Sequence, residues 1–261
     1  VIKIYKNNRL VALFLYKKKS KILTNNYTKR IFGTNSKKHP GVNNFLKMGN
    51  YFITGQIKYL FNKKQFYNTN KNKLKNVASL ATRNIPHLGH ELIVKTFIEK
   101  GYKIGITPTL NIDIKDLKNN PILKSWQYLL NLKLYKNQTY LMPIFDNSSL
   151  AGPKEAALQA IMRRNIGFDN FIVGRDHSGV KKYYKKFESA LFLKKFEKKL
   201  NINILLYNGS VFCKKCNKVI EYGSCFHTKE NFQDISSTSI KAKKLKDNKN
   251  TLIRNNLKNF L

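Results

Sequence analysis

Two histidines stand where an apolar run gives way to a helical pattern. The run VASLA, residues 77–81, suits a buried strand, and the helical pattern begins just after His87 and closes at Gly101. His87 and His90 would share one face of that helix, beside its unpaired backbone N–H groups and the positive end of its dipole. This arrangement predicts a phosphate site, and Gly89 would let a ligand approach the backbone closely.

Further polar groups follow strand-like runs at comparable points. Thr82, Arg83 and Asn84 supply a hydroxyl, a fixed cation and an amide at the end of the first run. The cluster GRDHSG, residues 174–179, follows the run FIV, and ISSTSIK, residues 235–241, opens the last helical pattern. One His-x-Gly-His segment is a weak indication of nucleotide chemistry, because paired histidines at a helix start are often only satisfied polar residues. Three clusters in this order are a stronger one.

Apolar runs alternate with helical patterns from residue 77 to residue 207. This alternation predicts an α/β fold with a doubly wound parallel sheet and ligands at the carboxyl ends of its strands. The helical patterns fall at residues 88–100, 121–135, 153–165 and 183–200. No Gly-x-x-x-x-Gly-Lys-Ser/Thr phosphate loop is present.

The first 62 residues have a different pattern. Their short runs of alternating apolar and polar residues predict a small β-rich module, in which His39 and Pro40 form a structural turn. Residues 63–76, rich in lysine and asparagine, predict a linker, and residues 77–261 a second domain.

All three cysteines are clustered late in the chain. Cys213 and Cys216 form a Cys-x-x-Cys pair, and Cys225 and His227 follow as Cys-x-His. Four such ligands suit a closed, structural zinc site, here in a loop at residues 211–229. The odd number of cysteines argues against disulfides. A redox Cys-x-x-Cys is the alternative, although it would not require the last two residues.

The charge balance is strongly basic. Lys and Arg number 50 against 14 Asp and Glu, for a net charge of +36. Such a surface can bind nucleic acid. However, the lysines are scattered and accompany abundant Asn, Ile, Phe and Tyr, so we favour a compositional origin and expect no nucleic-acid partner. No run is long enough to span a bilayer and no signal peptide is visible, which predicts a cytoplasmic protein without a membrane partner.

Several of these segments together resemble the ATP sulfurylases of the nucleotidylyltransferase superfamily. They are TRN-x-x-H-x-GHE, then AGPKEA at residues 151–156, then FIVGRDHSGV, CKKC and IS-x-T. The segment FGTNSKKHPGV, from Phe32, resembles the end of that family's amino-terminal PUA-like domain. Because the chain opens on Val1 inside a strand-like run, we expect an amino-terminal part of the protein to be missing.

The resemblance implies adenylyl transfer from ATP, with Mg²⁺, to sulfate, giving adenylylsulfate and pyrophosphate. It assigns catalysis to Thr82, Arg83, Asn84, His87 and His90, with Arg83 on the acceptor anion. It implies a structural zinc ion in some members and allows a homo-oligomer. The nucleotide and anion contacts that it implies are Ala81, Thr82, Arg83, Asn84, Gly174, Arg175, Asp176, His177, Ser178, Val211, Ser236 and Thr238.

The chain departs from the family pattern mainly in its anion half. Ala81 replaces a glutamine that helps to hold sulfate, and Leu88 replaces an arginine. Ser148, Ser149 and Leu150 stand in place of Met-Arg-Tyr, and residues 107–111 in place of His-Pro-Leu-Val-Gly. One lost charge-assisted contact weakens anion binding or turnover by roughly ten- to hundredfold. Three alternatives therefore remain: a non-catalytic relative, a changed acceptor, and an RNA-binding role.

Overall fold

The computed structural model describes residues 1–6, 8–60, 74, 76–111, 116–175, 177–178, 180, 183–235 and 252–260. Most of the predicted linker, as well as Asp176, Ser236 and Thr238, lies outside the described residues.

Twelve strands and six α-helices are present in the described residues. The strands are β1 (Ile2–Lys6), β2 (Arg9–Lys21), β3 (Tyr51–Tyr59), β4 (Val77–Thr82), β5 (Lys103–Leu110), β6 (Thr139–Leu141), β7 (Ile144–Phe145), β8 (Asn170–Gly174), β9 (Asn203–Tyr207), β10 (Ser210–Cys213), β11 (Lys218–Glu221) and β12 (Phe232–Asp234). The helices are α1 (Thr24–Phe32), α2 (Pro40–Leu46), α3 (Leu88–Glu99), α4 (Pro121–Leu130), α5 (Pro153–Ile166) and α6 (Glu188–Leu200). Short 3₁₀ helices span Lys229–Asn231 and Asn255–Phe260.

The central sheet is parallel, with strand order β6-β5-β4-β8-β9 and β7 paired to the end of β5. The chain winds outward from β4 to β6, crosses back to β8 and continues to β9. The winding direction therefore reverses between β4 and β8, and ligands bind outside the carboxyl ends of the strands at such a switch point. Thr82 ends β4 and Gly174 ends β8. The predicted polar clusters thus meet at this edge of the sheet.

Helices cover both faces of the sheet, as the prediction of a doubly wound fold requires. Ala78 and Leu80 of β4 point into a core with α3, α4 and the carboxyl-terminal 3₁₀ helix. Val77 points into the opposite core, with Ala156 and Ala160 of α5 and with α6. This alternation follows from the period of two along a strand. The predicted α/β fold is confirmed.

The amino-terminal region contains the antiparallel sheet β1-β2-β3, so the predicted β-rich module is present. It also contains α1 and α2, which the strand-like pattern did not predict. His39 is fully buried, and its Nδ1 accepts the backbone N–H groups of Gly41 and Val42 at 3.1 and 3.3 Å. His39 therefore caps α2, with Pro40 at the first helical position.

Two helices are shorter than their patterns predict. The chain leaves α4 after Leu130, and the following turn brings the buried Tyr135 to the carboxylate of Glu91, 2.9 Å away. Helix α6 begins at Glu188, because Tyr183 and Tyr184 pack beside His39 instead of extending the helix.

Candidate active site

The amino terminus of α3 is closed by its own histidines. The backbone N–H of His87 donates to Nδ1 of His90 at 3.3 Å, and that of Gly89 donates to Nδ1 of His87 at 3.1 Å. The backbone N–H groups of His90 and Glu91 donate to the carbonyl of His87. This is a capping box in which both side-chain positions are histidine.

A carboxyl-terminal segment accepts a hydrogen bond from the first residue of α3. The backbone N–H of Leu88 donates to the carbonyl of Leu252 at 3.0 Å. The first amides of α3 are therefore engaged within the protein, and the phosphate site at this helix start stays a prediction. The role predicted for Gly89 also stays a prediction. A Cβ at Gly89 would lie 2.8 Å from Cδ1 of Ile235, so the protein itself fills that space.

The same bonds fix the chemistry of the two rings. Each Nδ1 accepts a hydrogen bond from a backbone N–H, so each neutral ring carries its own proton on Nε2. Burial lowers the pKa of His87 to about 4, against a smaller opposing effect of the Asp234 carboxylate. Burial and the neighbouring His87 hold the pKa of His90 well below its usual value. Both histidines are therefore neutral hydrogen-bond donors at neutral pH.

The two Nε2 atoms differ in what they contact. Nε2 of His90 lies 3.4 Å from the hydroxyl of Thr82, which also accepts the backbone N–H of Asn84 at 3.2 Å. The indole of Trp126 donates to the carbonyl of Asn84 at 2.9 Å, and its ring packs edge-on against His90. Within the described part of the chain, no hydrogen bond engages Nε2 of His87. His87 thus keeps a donor for a ligand, while His90 and Thr82 hold the turn.

Arg83 lies on the exposed lip beside the turn that contains Ser148. Its Nη1 donates to the hydroxyl of Ser148 at 2.5 Å and lies 4.0 Å from the carboxylate of Glu155. Ser148 in turn donates to Glu155 at 2.6 Å. Glu155 is buried and also accepts the backbone N–H of Ala151 at 3.1 Å. The guanidinium is thereby directed by a serine and a carboxylate, with 41% of its side chain still exposed.

His177 faces inward, toward α5. Its Nε2 lies 2.8 Å from Oε1 of Gln159, whose amide nitrogen donates to Glu155 at 3.2 Å. The amide orientation therefore requires a proton on Nε2 of His177. Burial, then the positive charges of Arg163 and Arg83, lower the pKa of His177 to about 3. In its neutral form, its Nδ1 is an acceptor.

Arg163, which we did not predict as part of the site, anchors this region from below. Its guanidinium is buried and donates to the hydroxyls of Ser79 and Thr107, each at 3.0 Å, and to the carbonyl of Gln159 at 2.9 Å. Burial lowers its pKa to about 9. Glu155, Gln159 and Arg163 follow each other at intervals of four on α5, so they form one polar stripe against the sheet. That spacing among alanines was a readable sign of a buried network.

The GRDHSG turn follows β8 with open space at its start. A Cβ at Gly174 would meet nothing within 4 Å. Arg175 lies beside Gly209, about 3.6 Å from the position of a Cβ there. Ser178 is buried with a positive φ of 54°, and its hydroxyl has no hydrogen-bond partner among the described residues. A buried hydroxyl in that state requires a ligand or water.

Two other predicted contacts have side chains that point into hydrophobic cores. Val211 packs with Cys213 and Ile220, and Ala81 lies against the α5 and α6 core. Neither side chain offers a polar group, so a nucleotide or anion would meet their backbone at most. The predicted contacts Asp176, Ser236 and Thr238 lie outside the described residues.

The four predicted zinc ligands come together. Their donor atoms all lie within 4.8 Å of one another. Nδ1 of His227 is 3.3 Å from the sulfur atoms of Cys213 and Cys216, and the sulfur atoms of Cys213 and Cys225 are 3.9 Å apart. Ligands about 2.0 to 2.3 Å from a tetrahedral zinc ion are separated by roughly 3.5 to 3.8 Å, so these residues fit the ion. Cys213 ends β10, Cys216 lies in the turn between β10 and β11, and Cys225 and His227 follow β11.

Comparison with known proteins places the chain. The protein-family model for ATP-sulfurylase matches residues 58–251, and that for a PUA-like domain matches residues 1–62. The chain belongs to the ATP-sulfurylase family. The sulfate adenylyltransferase of Persephonella marina is 30% identical over 253 residues, covering 91% of this chain and 66% of that relative. Those of Thermococcus onnurineus and Pyrococcus abyssi are 31% and 32% identical over 228 and 225 residues, covering 82% and 81% of this chain.

The chain spans less than two thirds of these relatives, since it covers 66%, 60% and 59% of their lengths. Among solved structures, a hexameric APS kinase from Thiobacillus denitrificans matches 74% of this chain and 39% of its own with a TM-score of 0.49 and 15% identity. No helix among the described residues is long and apolar enough to cross a membrane.

Three positions that differ from the ATP-sulfurylase pattern have structural partners. Leu88 begins α3 and donates its N–H to Leu252. Thr107 joins Ser79 and the carbonyl of Leu80 to the buried Arg163. Ser148 directs Arg83. The side chains of Thr107 and Ser148 are therefore integrated into the hydrogen bonding around the site.

Proposed function

We propose that this protein is a sulfate adenylyltransferase, which converts ATP and sulfate to adenylylsulfate and pyrophosphate. The observation that carries the proposal is the junction of β4 and β8. The Thr82–His90 turn and the Gly174–Ser178 turn leave neighbouring parallel strands at the switch point of the sheet. Triphosphate-binding and anion-binding groups of the family pattern are thus next to each other.

The reaction requires positioning more than covalent assistance. A sulfate oxygen attacks the α-phosphorus in line, and a new P–O bond forms as the bond to the pyrophosphate oxygen breaks. Pyrophosphate leaves with the electron pair. Mg²⁺, carried in with ATP, neutralises charge on the triphosphate. The residues must supply donors for the charge that develops on the α-phosphoryl oxygens.

The two histidines have different roles in this reaction. Nε2–H of His87 donates to the phosphates, and the side-chain amide of Asn84 adds a second donor. His90 and Thr82 position that turn, because both hydrogen-bond within it. A neutral donor suits the reaction, since its strength does not depend on pH above the lowered pKa of His87.

The anion half is formed by Arg83 and the GRDHSG turn. Arg83 binds sulfate at the lip, oriented by Ser148 and Glu155. The hydroxyl of Ser178, which has no partner among the described residues, adds a further donor. Gly174, Arg175, Asp176 and His177 contact the nucleotide, and Ser236 and Thr238 the phosphates, as the family pattern implies.

We also propose a structural zinc ion on Cys213, Cys216, Cys225 and His227. Four protein ligands leave no open position, so the ion stabilises a fold and takes no part in the reaction. Its sheet contacts the active-site helix, because the hydroxyl of Ser210 donates to the carbonyl of Gly89 at 3.1 Å. A cytoplasmic location, where cysteines stay reduced, is part of the same proposal.

The test is ATP formation from adenylylsulfate and pyrophosphate. Arg83→Ala should lower kcat/KM by roughly ten- to hundredfold, because one charge-assisted contact to the anion is lost. Arg164→Ala is the matched control, since that arginine is exposed on α5 and its guanidinium donates only to the neighbouring Asn165 within the described part of the chain. Equal activity in both variants, or no activity in folded wild-type protein, would contradict the proposal. ATP binding without turnover would then favour a non-catalytic relative.

A further inference from the structure

One tyrosine hydroxyl hydrogen-bonds to both the amino-terminal region and the loop before α5. Oη of Tyr184 lies 3.3 Å from Nε2 of His39, 3.1 Å from the carbonyl of Phe32 and 3.3 Å from the carbonyl of Leu150. His39 and Phe32 belong to the amino-terminal region. Leu150 belongs to the loop that precedes α5.

The direction of these bonds follows from the cap on α2. Nδ1 of His39 accepts two backbone N–H groups, so the neutral ring carries its proton on Nε2. Nε2–H therefore donates to the oxygen of Tyr184, and the single hydroxyl proton of Tyr184 is shared between the carbonyls of Phe32 and Leu150. The three hydrogen bonds of the Tyr184 hydroxyl form together only when the segments of Phe32 and His39, of Leu150 and of Tyr184 are in contact.

Close packing surrounds this group. A Cβ at Gly152 would lie 2.6 Å from the ring of Tyr184, and a Cβ at Gly41 would lie 2.4 Å from the carbonyl oxygen of Ser149. Leu150 and Gly152 both have positive φ values, 60° and 53°. The loop is thus held between α2 and Tyr184 in a conformation that a free loop would rarely adopt.

The far side of the same loop reaches the anion end of the site. Ser148, two residues before Leu150, accepts from Arg83 and donates to Glu155, while the N–H of Ala151 also donates to Glu155. One short segment thus joins His39 and Tyr184 on one side to Arg83 on the other.

We propose that His39 and Tyr184 are positioning residues for the anion site: they fix the loop 148–152, and through Ser148 they set the orientation of the Arg83 guanidinium. The amino-terminal region thereby controls affinity for the acceptor anion without contacting it. The choice of sulfate as the anion rests on the proposed function. The positioning of loop 148–152 by His39 and Tyr184 does not depend on it.

The test compares Tyr184→Phe with Tyr128→Phe in the full chain. Both changes remove one hydroxyl and keep the ring, and Tyr128 bonds Asn256 on the other face of the sheet. Tyr184→Phe should raise the KM for sulfate by roughly fivefold, the effect of one neutral hydrogen bond, with the KM for MgATP unchanged. It should also speed hydrogen exchange at the Ala151 amide. Tyr128→Phe should change neither quantity.

Ser148→Ala gives an independent measurement, since it breaks the contact to Arg83 without touching Tyr184. Its effect on the KM for sulfate should be less than additive, in free energy, with that of Tyr184→Phe, because both act through one loop. Unchanged exchange at Ala151, additive effects, or equal changes in both KM values would overturn the inference. If wild-type protein proves inactive, the proposed function fails. Sulfate binding measured by calorimetry then tests the positioning role. Weaker binding to Tyr184→Phe than to wild type would support it, and equal binding would contradict it.

Discussion

Nδ1 of His90 accepts the backbone N–H of His87 at 3.3 Å, and this bond decides what the two histidines can do. It consumes the acceptor of His90 and, with the Gly89 N–H on His87, sets both tautomers. The pair is therefore a helix cap as well as the proposed phosphate-binding motif, and the donor without a partner among the described residues belongs to His87. Substitutions at these positions must separate the two roles.

His87→Asn makes that separation. Asparagine is a good N-cap, so its oxygen should replace Nδ1 and keep stability within about 1 kcal/mol. It lacks the Nε2–H that reaches the phosphates, so kcat should fall by roughly a hundredfold or more. Urea unfolding and initial rates measure the two effects. His87→Ala, which loses both roles, should also be destabilised by about 1 kcal/mol. Full activity in the asparagine variant would exclude His87 as the phosphate donor.

Stability should fall in mild acid because of the buried histidines. The lowered pKa values of His87 and His177, about 4 and about 3, lie below the usual 6.5, so the unfolded chain binds protons that the folded chain does not. The stability that the two neutral histidines contribute is fully present above pH 6.5, and it is lost as the pH falls toward 4. Each should add a slope of up to about 1.4 kcal/mol per pH unit.

Unfolding free energies at pH 7 and pH 5 measure this slope. His87→Asn, which cannot titrate, should reduce it relative to wild type. An equal slope in that variant would show that other groups cause the acid sensitivity.

Ser178→Ala should change affinity and stability in opposite directions. The hydroxyl is buried without a partner among the described residues, so removing it should leave stability unchanged or raise it by about 1 kcal/mol. The KM for sulfate should rise several-fold if the hydroxyl binds the anion. Ser125→Ala is the control, because that buried hydroxyl donates to the carbonyl of Ile122 and its loss should destabilise. Destabilisation by Ser178→Ala would show that the hydroxyl has a structural partner.

Chelation should unfold the small sheet and impair the active site with it. Purified protein should contain one zinc ion per chain, and its removal should lower the melting temperature. Activity should fall in parallel, since Ser210 and Ile235 of this region contact Gly89. Cys225→Ser should lower zinc content and melting temperature before any chelator is added. A metal-free protein with an unchanged melting temperature would argue against a structural ion.

The sequence by itself determined the features that depend on neighbouring residues. The apolar run of β4 predicted a buried strand, the alternation of strands and helices predicted the parallel sheet, and the spacing from Cys213 to His227 predicted four converging ligands. The His87 and His90 pair was also correctly placed at the start of α3. The two histidines are three residues apart on one helix and the four candidate zinc ligands belong to one short segment, so local geometry brings them together.

The tertiary structure decided which donors remain available to a ligand. Leu252 takes the amide of Leu88, Arg163 reaches Ser79 and Thr107, and Tyr184 joins Phe32 to Leu150. These partners are far apart in the chain, and no local pattern encodes their pairing. A hydrogen-bonding group is free or satisfied according to whichever segment packs against it, because burial requires every such group to find a partner. The sequence therefore pointed to the candidate site, and long-range packing decided which of its hydrogen-bonding groups are engaged within the protein.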